Sequence, residues 1–348
     1  MSAGDVTQDR PIVRDPFRLR DHHSILLTSG LGLLALATML VSLLLGPAHL
    51  NLREVIGGLF APHGMTGVIV REIRLPRAGL GLFVGAALGA SGAALQGLFR
   101  NPLAEPGVTG VTPAAGLGAV VAFYFGFAGL SSVLLPAFAI AGALAAATIL
   151  YLLSRAGAGA VALVLAGVAI ASVATALMAL ALSLSPNPYA MSEIVMWMMG
   201  SLKDRTLADL AFAAPLIALG IVLLLTSARG LSALTLGEEA AHSLGVDVHA
   251  IRRRVVVGVA LAAGAATAAA GAVSFVGLVV PHLLRPFYGY EPARLIWPSA
   301  LGAAALVSAA DIVVRLISPD EKLPLGVLTA LLGAPFFIWL IFRMRTER

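Results

Sequence analysis

The chain alternates long apolar runs with short polar breaks rich in glycine and proline. A helix needs about 20 apolar residues to cross a bilayer. Runs of that length occupy 25–46, 79–99, 107–127, 130–153, 161–184, 207–227, 255–273, 295–317 and 324–342. A shorter apolar piece, 274–287, contains Pro281. With that piece doubling back as a half-spanning helix, the pattern predicts an all-α integral membrane protein of ten transmembrane helices. Residues 1–24 form a polar N-terminal tail and 25–345 a single transmembrane domain.

Composition agrees with this reading. Of 348 residues, 59% are hydrophobic and 12% charged, against about 25% charged in soluble domains. There is no cysteine, which removes disulfides, thiolate metal sites and cysteine nucleophiles. The net charge of +5 comes from basic residues scattered singly between apolar runs, a pattern of membrane loops and not of a nucleic-acid stripe. The run Ile25–Gly46 is long for a signal-peptide core and has no clear cleavage site, so it is expected to stay as the first span.

Loops on the cytoplasmic side carry the excess of Lys and Arg. With both termini inside, 15 of the 23 basic residues fall inside and 8 outside, which favours a cytoplasmic N- and C-terminus. Arg71, Arg74 and Arg77 run against the bias as a tight outer cluster before the second span. Such a cluster either snorkels at a helix end or offers bidentate docking to acidic groups of a partner.

Chemistry-bearing motifs are few. The chain has no G-x-x-x-x-G-K-[ST], H-E-x-x-H, G-x-S-x-G or dinucleotide fingerprint, so neither an ATP site nor a catalytic site is expected in it. The histidines stand singly in or beside loops or in the tail, which gives no metal set. Ionisable residues inside spans are costly and therefore candidates for function. Asp311 precedes Arg315 by four residues on one helix face, which predicts a structural pair. A proton-coupled carrier would need Asp311 or Glu105 as its relay. The break 100–107 carries two prolines and a glycine around Leu103, which suits a constriction, because broken backbone at membrane depth must line a cavity or be buried in protein. The inside connection of about 230–254 reads as a short helix ended by Gly245 and a second short helix through His249 and Ile251, two elements able to sit in a groove of a cytosolic partner.

These pieces together resemble the permeases of type II ABC importers for vitamin B12, ferric siderophores and heme, the FecCD type. The matching residues are Arg74-Leu75-Pro76-Arg77, Gly85-Ala86-Ala87-Leu88 with Ser91-Gly92-Ala93 and Gln96, and Asn101 to Gly107. Trp197 to Gly200, the loop Leu236 to Gly245, Phe275 to Leu278 with Pro281-His282 and Arg285, then Asp311, Arg315, Leu323 to Gly326 and Gly333 to Pro335 continue the match in order.

The resemblance implies the type II permease fold in a bacterial inner membrane. It also implies a homodimer with two separate ATPase subunits inside and a periplasmic binding protein outside, ATP and Mg being bound by the ATPases and no cofactor by this chain. It assigns binding-protein docking to Arg74, Arg77 and Arg315. Leu236, Gly237, Glu238, Ala241, Leu244 and Gly245 become ATPase-coupling residues, and Asn101, Leu103, Ala160 and Val161 become translocation gates. Ala160 and Val161 depart from the small hydroxyl residues of the vitamin B12 permease, which leaves that gate's polarity open. The implied cargo is a large iron chelate or tetrapyrrole: heme first, siderophore or vitamin B12 as alternatives, and a proton-coupled secondary carrier using Asp311 as the remote rival.

Overall fold

A computed structural model describes residues 16–46, 48–60, 64–131, 133–185, 188–318 and 323–346. Among these there is no strand. The helices are α1 (Pro16–Leu44), α2 (Leu52–Phe60) and α3 (Met65–Val68), which runs through a π turn (Ile69–Arg74) into α4 (Leu75–Phe99). Then follow α5 (Val111–Tyr124), α6 (Leu134–Arg155), α7 (Ala160–Ser183), α8 (Pro188–Met198), α9 (Leu207–Leu234) and α10 (Glu238–Ser243). The chain closes with α11 (Val248–Ala270), α12 (Val276–Leu284), a 3₁₀ turn (Arg285–Tyr288), α13 (Pro292–Ile317) and α14 (Leu325–Thr346).

Among the described residues, seven helices are long and apolar enough to cross a membrane: α1, the continuous α3–α4 rod, α6, α7, α9, α11 and α13. The shorter α5 and the terminal α14 are apolar as well, and the nine-residue α12 stands where the sequence pattern places a half-spanning helix. Helix α4 is the hub, packed against α13, α9, α11, α12 and α1. Its glycines make this possible. A Cβ added at Gly85 would lie 2.3 Å from the Ala303 carbonyl, at Gly89 2.1 Å from that of Ser299, and at Gly92 1.8 Å from that of Gly277. Small residues are what allow such approach where lipid supplies no hydrophobic drive between helices.

The structure departs from the sequence pattern in several places. The second span does not start at 79, because the helix is continuous from Met65 and absorbs an extra residue per turn in the π segment. The third span, expected over 107–127, is helical only over 111–124, since prolines 102 and 106 and the left-handed Gly110 (φ 78°) keep the chain from winding earlier. Helices α2 and α8 lie between the expected spans. Helix α2 is started by a reciprocal cap in which the Asn51 N–H donates to Glu54 Oε2 (2.8 Å) and the Glu54 N–H to Asn51 Oδ1 (2.9 Å). The second short helix expected through His249 and Ile251 is instead the first turn of α11. Asp247 caps it, accepting the Ala250 N–H at 3.0 Å.

The bundle has two dissimilar ends. At one lie the end of α1, the π turn, residues 201–206 and the end of α13. At the other lie the end of α4, α10, the start of α11 and the turn between α12 and α13.

Candidate functional site: two polar ends of a helix bundle

At the first end the structure brings Arg77 and Arg315 together around one carboxylate, with Arg74 lining the same recess. Arg77 Nε donates to both Asp311 oxygens (3.1 and 3.0 Å) and Nη2 to Oδ1 (3.0 Å). Arg315 Nη2 reaches Asp311 Oδ2 at 3.1 Å, the i,i+4 pair expected from spacing. Asp311 is only 2% exposed. One buried anion thus faces two cations, and the surplus positive charge meets the end of α1. There Arg315 Nη1 donates to the carbonyls of Ser42 (3.0 Å) and Leu45 (3.1 Å). Arg74 Nη1 donates to those of Leu43 and Leu44 (both 2.9 Å), and its Nη2 to that of Ala48. The last carbonyls of a helix lack intrahelical partners and carry its negative pole. Two arginines from distant segments therefore cap α1.

This geometry shapes the outer arginine cluster. Arg74 is 4% exposed, and its guanidinium faces inward onto α1. The same end holds a recess of about 610 Å³ lined by Arg74, Arg77, Lys203, Arg205 and Arg315 together with the acidic Glu72 and Asp204. Lys203 and Arg205 are basic residues of this recess that the sequence pattern does not single out for docking; being among the eight basic residues expected outside is the signal they carry.

At the second end, Arg100 leaves α4 in the left-handed conformation (φ 48°), and the Asn101 side chain accepts the Leu103 N–H at 2.9 Å. Both gate candidates on this segment, Asn101 and Leu103, are half-buried. Val161 is 76% exposed on the first turn of α7. Ala160 begins that helix, and its side chain lies outside the described residues. The two gate segments are neighbours, since Phe99, Arg100 and Leu163 line a common small recess. Deeper in, Pro106 rests on Gly277 at the start of α12, and Gln96 Nε2 donates to the Gly277 carbonyl at 3.4 Å.

Helix α10 stands between two glycines in left-handed or related positive-φ conformations, Gly237 (φ 106°) and Gly245 (φ 77°). Its Ala241 is fully buried, whereas Leu236 and Leu244 are 67% and 64% exposed. Glu238 pairs with Arg252 of α11 at 2.5 Å, which ties the short helix to a long one. Asp247 is held below the usual carboxylate range, chiefly by the Ala250 N–H it accepts.

The FecCD transport family matches residues 33–343. The hemin transport system permease protein HmuU of Yersinia pestis is 41% identical over 80% of this chain and 84% of its own length. The Fe(3+) dicitrate transport system permease protein FecD of Escherichia coli is 40% identical over 80% and 86%. The vitamin B12 import system permease protein BtuC of Yersinia enterocolitica is 38% identical over 92% and 93%. A solved structure described as an inward-facing conformation of a metal-chelate type ABC transporter superposes with a TM-score of 0.80, at 31% identity, over 92% of this chain and 99% of that one. The chain belongs to the FecCD transport family and has the fold of a type II ABC importer permease.

Proposed function

We propose that the protein is the permease of an ATP-driven importer in a bacterial inner membrane, moving a large iron chelate or tetrapyrrole inward by alternating access. Heme is the cargo put forward, with a ferric siderophore or vitamin B12 as the alternatives. The observation that carries the reading is α10. Two exposed leucines flank a six-residue helix that starts after the positive-φ Gly237 and is clipped to α11 by an ion pair, and they form an apolar knob on a chain without a nucleotide motif. A groove on an ATPase is the partner that fits it.

In this reading two copies of the chain form the pathway, two ATPase subunits bind ATP and Mg at the α10 end, and both termini lie in the cytoplasm. The binding protein docks at the opposite end. There Arg77 and Arg315 line the basic recess, Arg74 holds its wall, and Lys203 and Arg205 add positive charge for acidic groups of the partner. Asn101, Leu103, Ala160 and Val161 gate the path, and passage needs no covalent chemistry from this chain. The proton-coupled alternative is weakened by the placement of Asp311, whose two oxygens are already taken by Arg77 and Arg315.

The test is reconstitution with the cognate ATPase and binding protein. Heme uptake should require all three components and ATP, and the purified binding protein should show a heme absorption band. Uptake by the permease alone, driven by a pH gradient, would overturn the reading.

A further inference from the structure

At the α10 end, but apart from α10 itself, lies a recess of about 250 Å³ lined by Gln96, Arg100, Thr235, Arg285, Tyr290 and Pro292, among others. Its chemistry is one-sided. Two guanidiniums reach it, and among the described residues neither forms an ion pair with a carboxylate. At this end Glu291 pairs with Arg294 at 2.7 Å and Glu238 with Arg252 at 2.5 Å. Thr235 donates its hydroxyl to the Ser232 carbonyl at 2.7 Å, so the donors free to face a ligand are those of Arg100, the remaining N–H groups of Arg285, and the Tyr290 hydroxyl.

Arg285 is half-buried and set in place, since its Nη2 donates to Gln96 Oε1. Gln96 in turn donates to the Gly277 carbonyl. A cation held this way has lost part of its water and has a fixed fork to present. Two residues either side of Arg285 in sequence, Leu283 and Phe287 are 50% and 67% exposed, and Tyr290, which lines the recess, is 68% exposed. Aromatic side chains beside a basic pocket between helix ends are the pattern of a membrane–water interface that takes an anionic head group.

We propose that this recess binds a phosphate anion, held by Arg100, Arg285 and the Tyr290 hydroxyl, its source being the head group of an anionic phospholipid. Acyl chains would lie along Leu283 and Phe287. Occupancy would brace the Gln96–Arg285 contact, and with it the packing of α12 on α4. The inference is independent of the cargo and of the ATPase.

The experiment uses the full-length protein in detergent, titrated with phosphatidylglycerol, phosphatidylcholine or inorganic phosphate, and read by native mass spectrometry and thermal unfolding. Phosphatidylglycerol should give a retained adduct and a raised unfolding temperature, with phosphatidylcholine giving neither. Arg100→Gln should weaken that binding about tenfold or more, the loss of one charge-assisted contact, whereas Arg155→Gln, at an exposed site elsewhere, should leave it unchanged. Arg285→Gln also removes the Gln96 contact, so Arg100→Gln decides if that variant does not fold. Arg100-dependent binding of inorganic phosphate without phosphatidylglycerol binding would keep the phosphate site but overturn its lipid source. Equal phosphatidylglycerol binding by Arg100→Gln and the parent protein, or equal binding of phosphatidylcholine, would overturn the proposal.

Discussion

Asp311 shows what single residues do here. Its buried carboxylate is the anion between two half-buried guanidiniums, and removing one partner of a buried ion pair costs about 3–5 kcal/mol because the other charge is left uncompensated. Asp311→Asn is therefore expected to lower thermal stability in detergent by several degrees and to reduce the amount of folded protein. Uptake per folded molecule is then expected to keep its pH profile, whereas a proton relay would lose uptake outright in a variant of normal stability. Arg74→Ala should also destabilise, by about 2–4 kcal/mol, since buried carbonyls at the end of α1 lose their donors. Arg74→Lys should recover only part of this, because a single ammonium cannot reproduce the fork across three carbonyls. The Asp311–Arg315 pair is legible in the sequence because spacing on one helix fixes it. The Arg77–Asp311 bond is not, because it depends on how α4 packs on α13, and neither is the capping role of Arg74, which depends on where α1 ends.

Among elements, α4 is the most constrained, and the glycines along it decide how closely its neighbours approach. Gly92→Ala would place a methyl 1.8 Å from a backbone carbonyl of α12. That atom cannot turn aside as a flexible side chain would, so α4 and α12 must separate. The expected outcome is failure to accumulate in the membrane, or an unfolding midpoint far below that of the parent, measured by fluorescence-detected gel filtration with heating. Gly30→Ala is the control. A Cβ there meets nothing within 4 Å, and alanine is the better helix former by up to about 1 kcal/mol, so its stability should be equal or slightly higher. Apolar run length gave the long helices well, because lipid demands a continuous helical span. It failed at α5 and at the second small helix of the inside connection. In α5, proline and a left-handed glycine delay winding inside an apolar run. In the inside connection, Asp247 starts a helix that simply continues as the next span. Helix α2 was readable in principle from the Asn51 and Glu54 cap, although its polar and apolar mix gave no spanning signal.

For the whole molecule, the two ends have opposite characters, and this allows the proposed coupling to be tested apart from folding. At the first end the functional candidates are woven into the fold: Arg74, Arg77 and Arg315 hold α1 and α13, so their loss confounds docking with stability. At the second end Leu236 and Leu244 flank α10 and are exposed, while Ala241 and the Glu238–Arg252 pair hold the helix in place. Changing the leucines should therefore spare the fold. A buried leucine contributes about 1.5–3 kcal/mol relative to an exposed one, so replacing both with aspartate should weaken assembly with the ATPase at least a hundredfold. The expected outcome for Leu236→Asp with Leu244→Asp is an unfolding midpoint within about a degree of the parent's, loss of ATPase co-purification, and loss of ATP-driven uptake. Cleaving the ion pair with Glu238→Gln is a milder perturbation, in which the ATPase remains bound but each ATP hydrolysed moves less cargo, since α10 could then shift without carrying α11 along. An ATPase that co-purifies normally with the double aspartate variant would place the contact elsewhere on this face of the bundle.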